Sequence, residues 1–234
     1  MKFRLSLFVL GCVLPLPAIG QGVTGGTLGV ELNAPTDFSD LGGTTYFGSL
    51  EYQVTPDISV AANVSSYRFD NLGSDASNAT VHGIYKLDDE TSVGLFFGQD
   101  FSETSDSDLY GIQGTTWLGG SQVEGYLGRV DGQTDEITIL GFDGQYDIRS
   151  DFSVTGSAAL GDYAAGSART ISIGASYTIA DGPDLYAEIG NVSVAENGLS
   201  TSDTFIGVGA QINFGGQKDT TFGRRSFFEI LPQF

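Results

Sequence analysis

The chain has little of several residue types on which other classes of protein depend. A single cysteine, Cys12, stands among 234 residues, and it lies so close to the N-terminus that the remainder can form neither a disulfide nor a thiolate metal site. Proline is scarce, with 6 residues, and no apolar run reaches the length of about 20 residues that a transmembrane helix needs. These absences exclude a disulfide-stapled scaffold and a helical membrane protein.

Basic residues are also few, since 10 lysines and arginines stand against 29 aspartates and glutamates. Binding of nucleic acid needs a basic face that neutralises phosphates, so nucleic acid is not expected as a partner. The sequence contains no phosphate-binding loop, no H-E-x-x-H zinc pair and no G-x-S-x-G nucleophile elbow. We therefore expect no cofactor, no metal site and no catalytic residue.

The first twenty residues have the features of a secretory signal. Two basic residues precede an apolar run at 5–14, and small residues follow this run. These are the three regions of a cleaved signal peptide, so residues 1–20 are predicted to direct export and to be removed after Gly20. The alternative is a lipoprotein signal, in which the short box that ends at Cys12 would leave that cysteine lipidated.

The chain has an excess of glycine, at 34 residues, and many segments of about ten residues in which apolar and polar side chains alternate. In one of them Ile171, Ile173 and Tyr177 share a face, while small polar residues share the other. Successive side chains of a strand point to opposite faces, so each segment predicts a strand with one apolar face. Twelve strands are predicted, at 22–33, 44–54, 58–69, 78–87, 91–101, 107–118, 121–130, 136–148, 152–162, 168–180, 184–194 and 202–214.

Two kinds of link alternate between these strands. Links with several turn residues, such as 163–167 and 195–200, alternate with tight turns such as 119–121. This alternation predicts an up-and-down meander with longer links at one rim and short turns at the other.

The polar faces of the strands are rich in glycine, serine, threonine and glutamine, and the apolar faces end in aromatics such as Tyr46 and Tyr177. Small polar side chains suit a crowded or watery interior, and aromatics near strand ends match the interfacial girdles of membrane barrels. Lipid forbids an unpaired sheet edge, so the sheet must close on itself. The predicted fold of 22–214 is an all-β, transmembrane, up-and-down antiparallel barrel; a secreted sandwich or β-solenoid is the alternative.

The last predicted strand ends in "GVGAQINF", residues 207–214. In Gly209, Ile212 and Phe214 and in the architecture of 22–214, the chain resembles the small porin-like outer-membrane β-barrels of Gram-negative bacteria. The resemblance implies contact with outer-membrane lipid and lipopolysaccharide, insertion by the barrel-assembly machinery that reads the terminal pattern, and a diffusion channel for small hydrophilic solutes. Two alternatives to a channel remain open, a structural barrel with a filled lumen and a lipid hydrolase. The hydrolase is disfavoured because His82 has no neighbouring serine on its strand.

Five acids lie on the same face of the predicted strands as the small polar residues and should point into the lumen. A low-dielectric wall lined by one sign of charge concentrates counter-ions, which predicts a lumen that favours neutral or cationic solutes. In the alternative, the acids pair with Lys86 and Arg129 to hold a filled interior together. The five acids are Glu31, Glu51, Glu124, Asp143 and Glu188.

A C-terminal extension, 215–234, follows the last strand. Ser226 and Glu229 have the spacing of a capping box, which predicts a helical turn at 227–231 that Pro232 ends.

Phe227 and Phe228 place too much apolar surface on this turn to leave it in water. We expect the extension to begin on the periplasmic side and to fold back as a plug, with Arg224 and Arg225 near acids such as Glu51 or Glu188. A periplasmic docking peptide and a disordered tail are the alternatives.

Overall fold

A computed structural model of the protein describes residues 22–36, 42–69, 75–103, 106–132, 136–180, 182–216 and 219–230. The predicted signal peptide at 1–20 lies outside these ranges. Within them the chain forms twelve strands and one short helix. These elements are β1 (Gly22–Pro35), β2 (Gly43–Thr55), β3 (Ile58–Phe69), β4 (Asp75–Lys86), β5 (Thr91–Ser102), β6 (Asp106–Leu118), β7 (Ser121–Asp131), β8 (Glu136–Arg149), β9 (Phe152–Tyr163), β10 (Gly166–Thr178), β11 (Asp184–Glu196), β12 (Leu199–Phe214) and α1 (Phe227–Ile230).

The strands form one closed antiparallel barrel in which each strand pairs with its sequence neighbours and β1 pairs with β12. The closing register runs from Gly26 opposite Phe214 to Pro35 opposite Phe205. Closure gives each of the twelve strands a hydrogen-bonded neighbour on both sides, so the sheet has no edge strand. The prediction of twelve strands in an up-and-down barrel is confirmed, and the strand ends differ from the predicted ones by at most three residues.

The barrel has two rims. The rim at which β1 begins and β12 ends is termed the terminal rim, and the opposite one the far rim. The prediction that every far-rim link is longer is wrong for two hairpins, because β10 begins at Gly166 and β12 at Leu199 and each leaves a two-residue turn. In the second of these turns Asn197 and Gly198 both have positive φ, at 49° and 82°, as an Asn-Gly turn between twisted strands requires.

The two faces of the barrel wall differ in chemistry. On β10, the outward Ile171 and Ile173 are 57% and 60% exposed, whereas the inward residues of that strand are small and polar. An apolar outside around a polar inside is the reverse of a water-soluble barrel and is the arrangement that lipid requires. Across the described part of the chain, no helix has the length and apolarity needed to cross a membrane.

Glycines of the inner face lie beneath aromatic rings from the neighbouring strand. Phe47 is the register partner of Gly29, and Tyr126 is the register partner of Gly141. A Cβ atom added to either glycine would overlap the ring, so these rings can lie flat against the wall only where the neighbour is glycine. This packing explains part of the glycine excess and fixes the orientation of both rings.

Deletion of residues 207–214 should prevent barrel formation, because this stretch carries the pairing of β12 with both β1 and β11. Heat-modifiable electrophoretic mobility and circular dichroism of the refolded protein measure the outcome. As a control, Ile212→Ala changes one outward side chain and leaves the backbone pairing intact, so that variant should fold. Normal folding of the deletion variant would contradict closure through β12.

Candidate functional site

The described part of the C-terminal extension, residues 219–230, lies inside the barrel and is termed the tail. Near the terminal rim, Thr27 donates a hydrogen bond to Asp219 (2.7 Å). At the other end of the tail, the ring of Phe228 packs against Tyr67 and Phe69 near the far rim, with centroid separations of 5.2 and 6.2 Å. The tail therefore rises through the lumen from the terminal rim almost to the far rim.

Backbone and hydroxyl groups of the tail are held by wall carboxylates. Glu51 accepts hydrogen bonds from the Thr221 amide (2.7 Å) and the Thr221 hydroxyl (3.1 Å). Asp100 accepts hydrogen bonds from the Ser226 hydroxyl (2.7 Å) and the Phe227 amide (2.8 Å). Both acids are buried, and hydrogen bonds to charged acceptors are stronger than neutral ones, so these contacts anchor the tail.

Arg225 of the tail forms a buried ion pair with Glu124 of β7. Its guanidinium also lies over the ring of Tyr126, 4.1 Å from the ring centroid. The side chains of the two partners in the ion pair are only 4% and 8% exposed. Because a buried charge without a partner is costly, the wall and the tail each require the other at this level of the barrel.

Arg224 occupies a second site of similar composition. Its guanidinium lies 3.8 Å from the ring centroid of Phe47 and forms ion pairs with Glu31 (3.6 Å) and with Glu229 of the tail (2.8 Å). The prediction that the two arginines meet Glu51 or Glu188 is wrong in its partners. Glu51 lies lower in the barrel and is already bound to Thr221, so the next residues of the tail reach acids further up.

Apolar residues of the tail are buried as well. Phe222 is 1% exposed and packs with Ala61 and Ile84, and Phe227 packs against the cluster around Phe96 and Leu109. The tail thus adds a hydrophobic contribution to its anchoring, with Phe222 against β3 and β4 and Phe227 against a cluster that also includes Ile139, Ala168 and Val192.

The capping prediction holds in part. The Ser226 hydroxyl accepts a hydrogen bond from the Phe228 amide (3.1 Å), as an N-cap does, and α1 begins at the next residue, Phe227. Glu229 does not complete a capping box, because its carboxylate accepts from the Tyr67 hydroxyl (3.2 Å) and pairs with Arg224. Pro232, the predicted end of the turn, lies outside the described residues.

Two adjoining cavities lie beside the tail and are together termed the side passage. One, of about 390 Å³, extends from Gln211 towards Phe69 near the far rim. The other, of about 510 Å³, opens at the terminal rim between turns that include Asp57 and Asp151. The two cavities share Gln145, Ser176, Gln211, Asp219 and Thr220 as lining residues. The barrel interior is thus divided into a side filled by the tail and a side that is open.

Asp143 and Glu188 border the side passage. Neither forms an ion pair with any residue in the described part of the chain. Ser172 donates a hydrogen bond to Glu188 (2.8 Å) and is itself bonded to Ser157 (2.8 Å). Of the five predicted lumen acids, all of which face inward, these two remain available to act on a solute.

The two bases that were predicted to lie in the lumen are found at the terminal rim and on the outer face of the barrel. Lys86 faces inward but sits at the terminal rim, where its ammonium pairs with Asp89 (3.1 Å). Arg129 is not in the lumen, because β7 turns Glu124, Tyr126 and Val130 inward and places Arg129 on the opposite face, where it pairs with Glu136. Alternation along the strand could have excluded Arg129 from the sequence alone.

His82 is fully buried on the inner wall. Its Nε2 lies 3.0 Å from the Asn63 amide nitrogen and its Nδ1 lies 2.7 Å from the Gln113 amide nitrogen. The ring of Phe222 stacks over the imidazole at 6.4 Å between centroids. A buried histidine between two side-chain amides, covered by the tail, has the geometry of a wall residue and lacks the hydroxyl partner of a hydrolase triad.

Sequence reasoning missed Asp100, Phe47 and Tyr126 as functional residues. Asp100 has the same parity on β5 as Phe96, so alternation could have placed it inside. The two aromatic residues carried no signal of their own, because their role depends on arginines about 100 or more residues away in sequence.

Replacement of Arg225 by methionine should lower the free energy of unfolding by about 3–5 kcal/mol, because the Glu124 carboxylate would stay buried without a counter-ion. Denaturant unfolding of the full chain in detergent micelles measures this loss. Addition of Glu124→Gln in the same chain should recover part of it, and a double-mutant cycle gives the coupling. Arg68→Met, which removes an exposed arginine above Tyr46, is the matched control. An equal loss of unfolding free energy in Arg225→Met and in Arg68→Met would contradict the assigned role of the ion pair.

Three solved structures have a similar fold. They are the KdgM porin (TM-score 0.61, 13% identity, 80% of this chain and 99% of that chain covered), the NanC porin (0.64, 15%, 79% and 98%) and the COG4313 outer membrane channel from Pseudomonas putida F1 (0.60, 13%, 84% and 97%). No protein-family model and no curated protein matches the chain. At these identities the likeness is one of fold: the chain has the closed-barrel fold of outer-membrane porins and channels, as the terminal strand and the strand pattern predicted.

Proposed function

We propose that the protein is a porin-like channel of the bacterial outer membrane through which small hydrophilic solutes, neutral or cationic, diffuse. In this proposal the solute moves along the side passage, and the tail is a resident plug that narrows the lumen. The observation that carries the proposal is the side passage, which is bordered by Asp143, Glu188 and several hydroxyl groups and reaches from the terminal rim towards the far rim.

The charge of the passage supports the solute class. The two arginines of the tail pair with Glu31 and Glu124, whereas Asp143 and Glu188 border the passage and form no ion pair in the described part of the chain. A narrow lumen with net negative lining attracts cations and repels anions. One of the similar structures is the KdgM porin in complex with a disordered oligogalacturonate, which is a polyanion. The acidic lining supports a different solute class here.

Localisation and assembly partners belong to the same proposal. The apolar outer face supports contact with lipid, and the acidic far-rim residues support binding of lipopolysaccharide through divalent ions. Ile212 and Phe214 face outward at the end of β12, where the barrel-assembly machinery could read them. Gly209 has a packing role as well, because a Cβ there would overlap the ring of Tyr186.

A non-conducting structural barrel is the second candidate. It is favoured by the extent to which the tail fills one side of the lumen, with Phe222, Arg225 and Ser226 all buried. Planar-bilayer recordings of the purified full chain distinguish the two functions. Discrete cation-carrying conductance steps support the channel, and a silent bilayer with correctly folded protein supports the structural barrel.

Replacement of Asp143 and Glu188 by asparagine and glutamine should lower the preference for cations, because both carboxylates act on an ion at close range within the passage. The reversal potential under a potassium chloride gradient should shift towards zero. Neutralisation of two exposed acids at the far rim, Asp75 and Asp106, is the matched control and should change it little. Rim charges are screened by salt within about 8–10 Å. Equal shifts in the two double variants would contradict control by the passage.

A further inference from the structure

We propose that the barrel wall carries two guanidinium-binding sites, that Arg224 and Arg225 of the tail occupy them, and that the same sites recognise solutes bearing a guanidinium group. The first site consists of Glu31 and Phe47, and the second of Glu124 and Tyr126. This inference rests on the channel proposed above, since it names the class of solute that the lumen would select among cations.

The wall supplies a carboxylate and a ring to each site, and Glu229 of the tail adds a second carboxylate beside Arg224 (2.8 Å). Glu31 lies on β1 and Phe47 on the adjacent β2, while Glu124 and Tyr126 lie two residues apart on β7 and so share its inner face. The Glu31 carboxylate also receives hydrogen bonds from Asn33 (2.6 Å) and from the Tyr186 hydroxyl (2.8 Å), both of them wall residues. The orientation of this carboxylate therefore does not depend on the tail.

The aromatic half of each site is held in place by the wall too. The rings of Phe47 and Tyr126 lie over Gly29 and Gly141, where no Cβ atom separates them from the neighbouring strand. A ring fixed in this way presents one face to the lumen. Together with Glu31, which is held by wall donors, the ring of Phe47 forms a receptor that is organised before any cation arrives, which lowers the cost of binding.

The geometry of the two sites favours guanidinium over ammonium. Each arginine places its guanidinium carbon 3.8 or 4.1 Å from a ring centroid, which is the distance of a flat stack, while its nitrogens face a carboxylate. A planar guanidinium can stack and donate hydrogen bonds at the same time, and it loses hydration more readily than an ammonium ion. A compact ammonium group would make one of these contacts well and the other poorly.

Adjacent residues of the tail fill both sites, and their attachment to the barrel gives them a high effective concentration, on the order of millimolar for a short tether. A free solute must compete with this internal occupant. In the wild-type chain a solute therefore binds weakly and in competition with the tail, and removal of one arginine side chain should open the corresponding site.

The test uses the full chain with Arg224→Ala and Glu229→Gln, because the tail then keeps no carboxylate that has lost its counter-ion at this site, Glu31 keeps its two wall donors and the barrel should still fold. Ethylguanidinium is titrated into the folded protein in detergent micelles and its binding is followed by calorimetry. The variant should bind ethylguanidinium about tenfold more tightly than the wild type does, and about tenfold more tightly than it binds ethylammonium. Addition of Phe47→Leu should abolish the preference for guanidinium, and Glu31→Gln should abolish binding of both cations.

A second variant keeps the test decisive if the first fails to fold. Arg225→Ala opens the site of Glu124 and Tyr126. Ethylguanidinium should raise the thermal unfolding midpoint of this variant more than ethylammonium does. This difference between the two cations should disappear when Tyr126→Leu is added. Equal binding of the two cations, or binding that persists without the aromatic ring, would overturn the proposal. These binding measurements do not depend on conductance, so the two proposals can fail separately. A variant that binds guanidinium in a barrel that does not conduct would refute the channel and support the sites. A barrel that conducts but does not bind guanidinium would refute the sites alone.

Discussion

The ion pair between Arg225 and Glu124 is the contact on which the interior of this protein depends. Both side chains are buried, so removal of either one would leave the other as a buried charge without a counter-ion. The pair fixes the height of the tail in the barrel. The tail is then hydrogen-bonded to Glu51 below the pair and to Asp100 above it. Arg224, the preceding residue, is directed towards the other side of the lumen, where it meets Glu31.

This anchoring divides the acids of the wall into two groups. Four of them, Glu31, Glu51, Asp100 and Glu124, are bound by the tail, while Asp143 and Glu188 border the side passage. One sequence feature, an excess of acids on the inner parity, thus serves two purposes. It retains the two arginines of the tail inside the barrel, and it leaves a passage lined by acids beside that tail.

The fold could be predicted closely from the sequence because a strand alternates with a period of two whatever its partners are. The parity of β10 and β12, and of the five inward acids, follows from this rule without any knowledge of the tertiary structure. The prediction that Arg129 lies in the lumen is wrong, although the same rule of alternation places Arg129 on the outer face, next to Glu136. The far-rim turn at Asn197 and Gly198 was also readable from its sequence, since Asn-Gly is the preferred pair for a two-residue hairpin turn.

The partners of the tail could not be predicted in the same way. Which acid an arginine meets depends on the height that each strand residue reaches in a tilted barrel and on how far the tail rises per residue, and neither quantity is encoded locally. The pairing of Arg225 with Tyr126 further depends on Gly141, a residue of another strand.

The most direct test of this account is the accessibility of position 226 in the folded full chain. Residues 22–234 contain no cysteine, so in the protein without residues 1–20 Ser226→Cys introduces a unique thiol at a position that is 1% exposed, and Gly216→Cys introduces one at an exposed position that precedes the tail. With a bulky hydrophilic maleimide, the cysteine at 216 should react rapidly, while the cysteine at 226 should react only after the barrel is unfolded. Equal reaction rates at the two positions in the folded protein would show that the tail lies outside the lumen and would contradict the account.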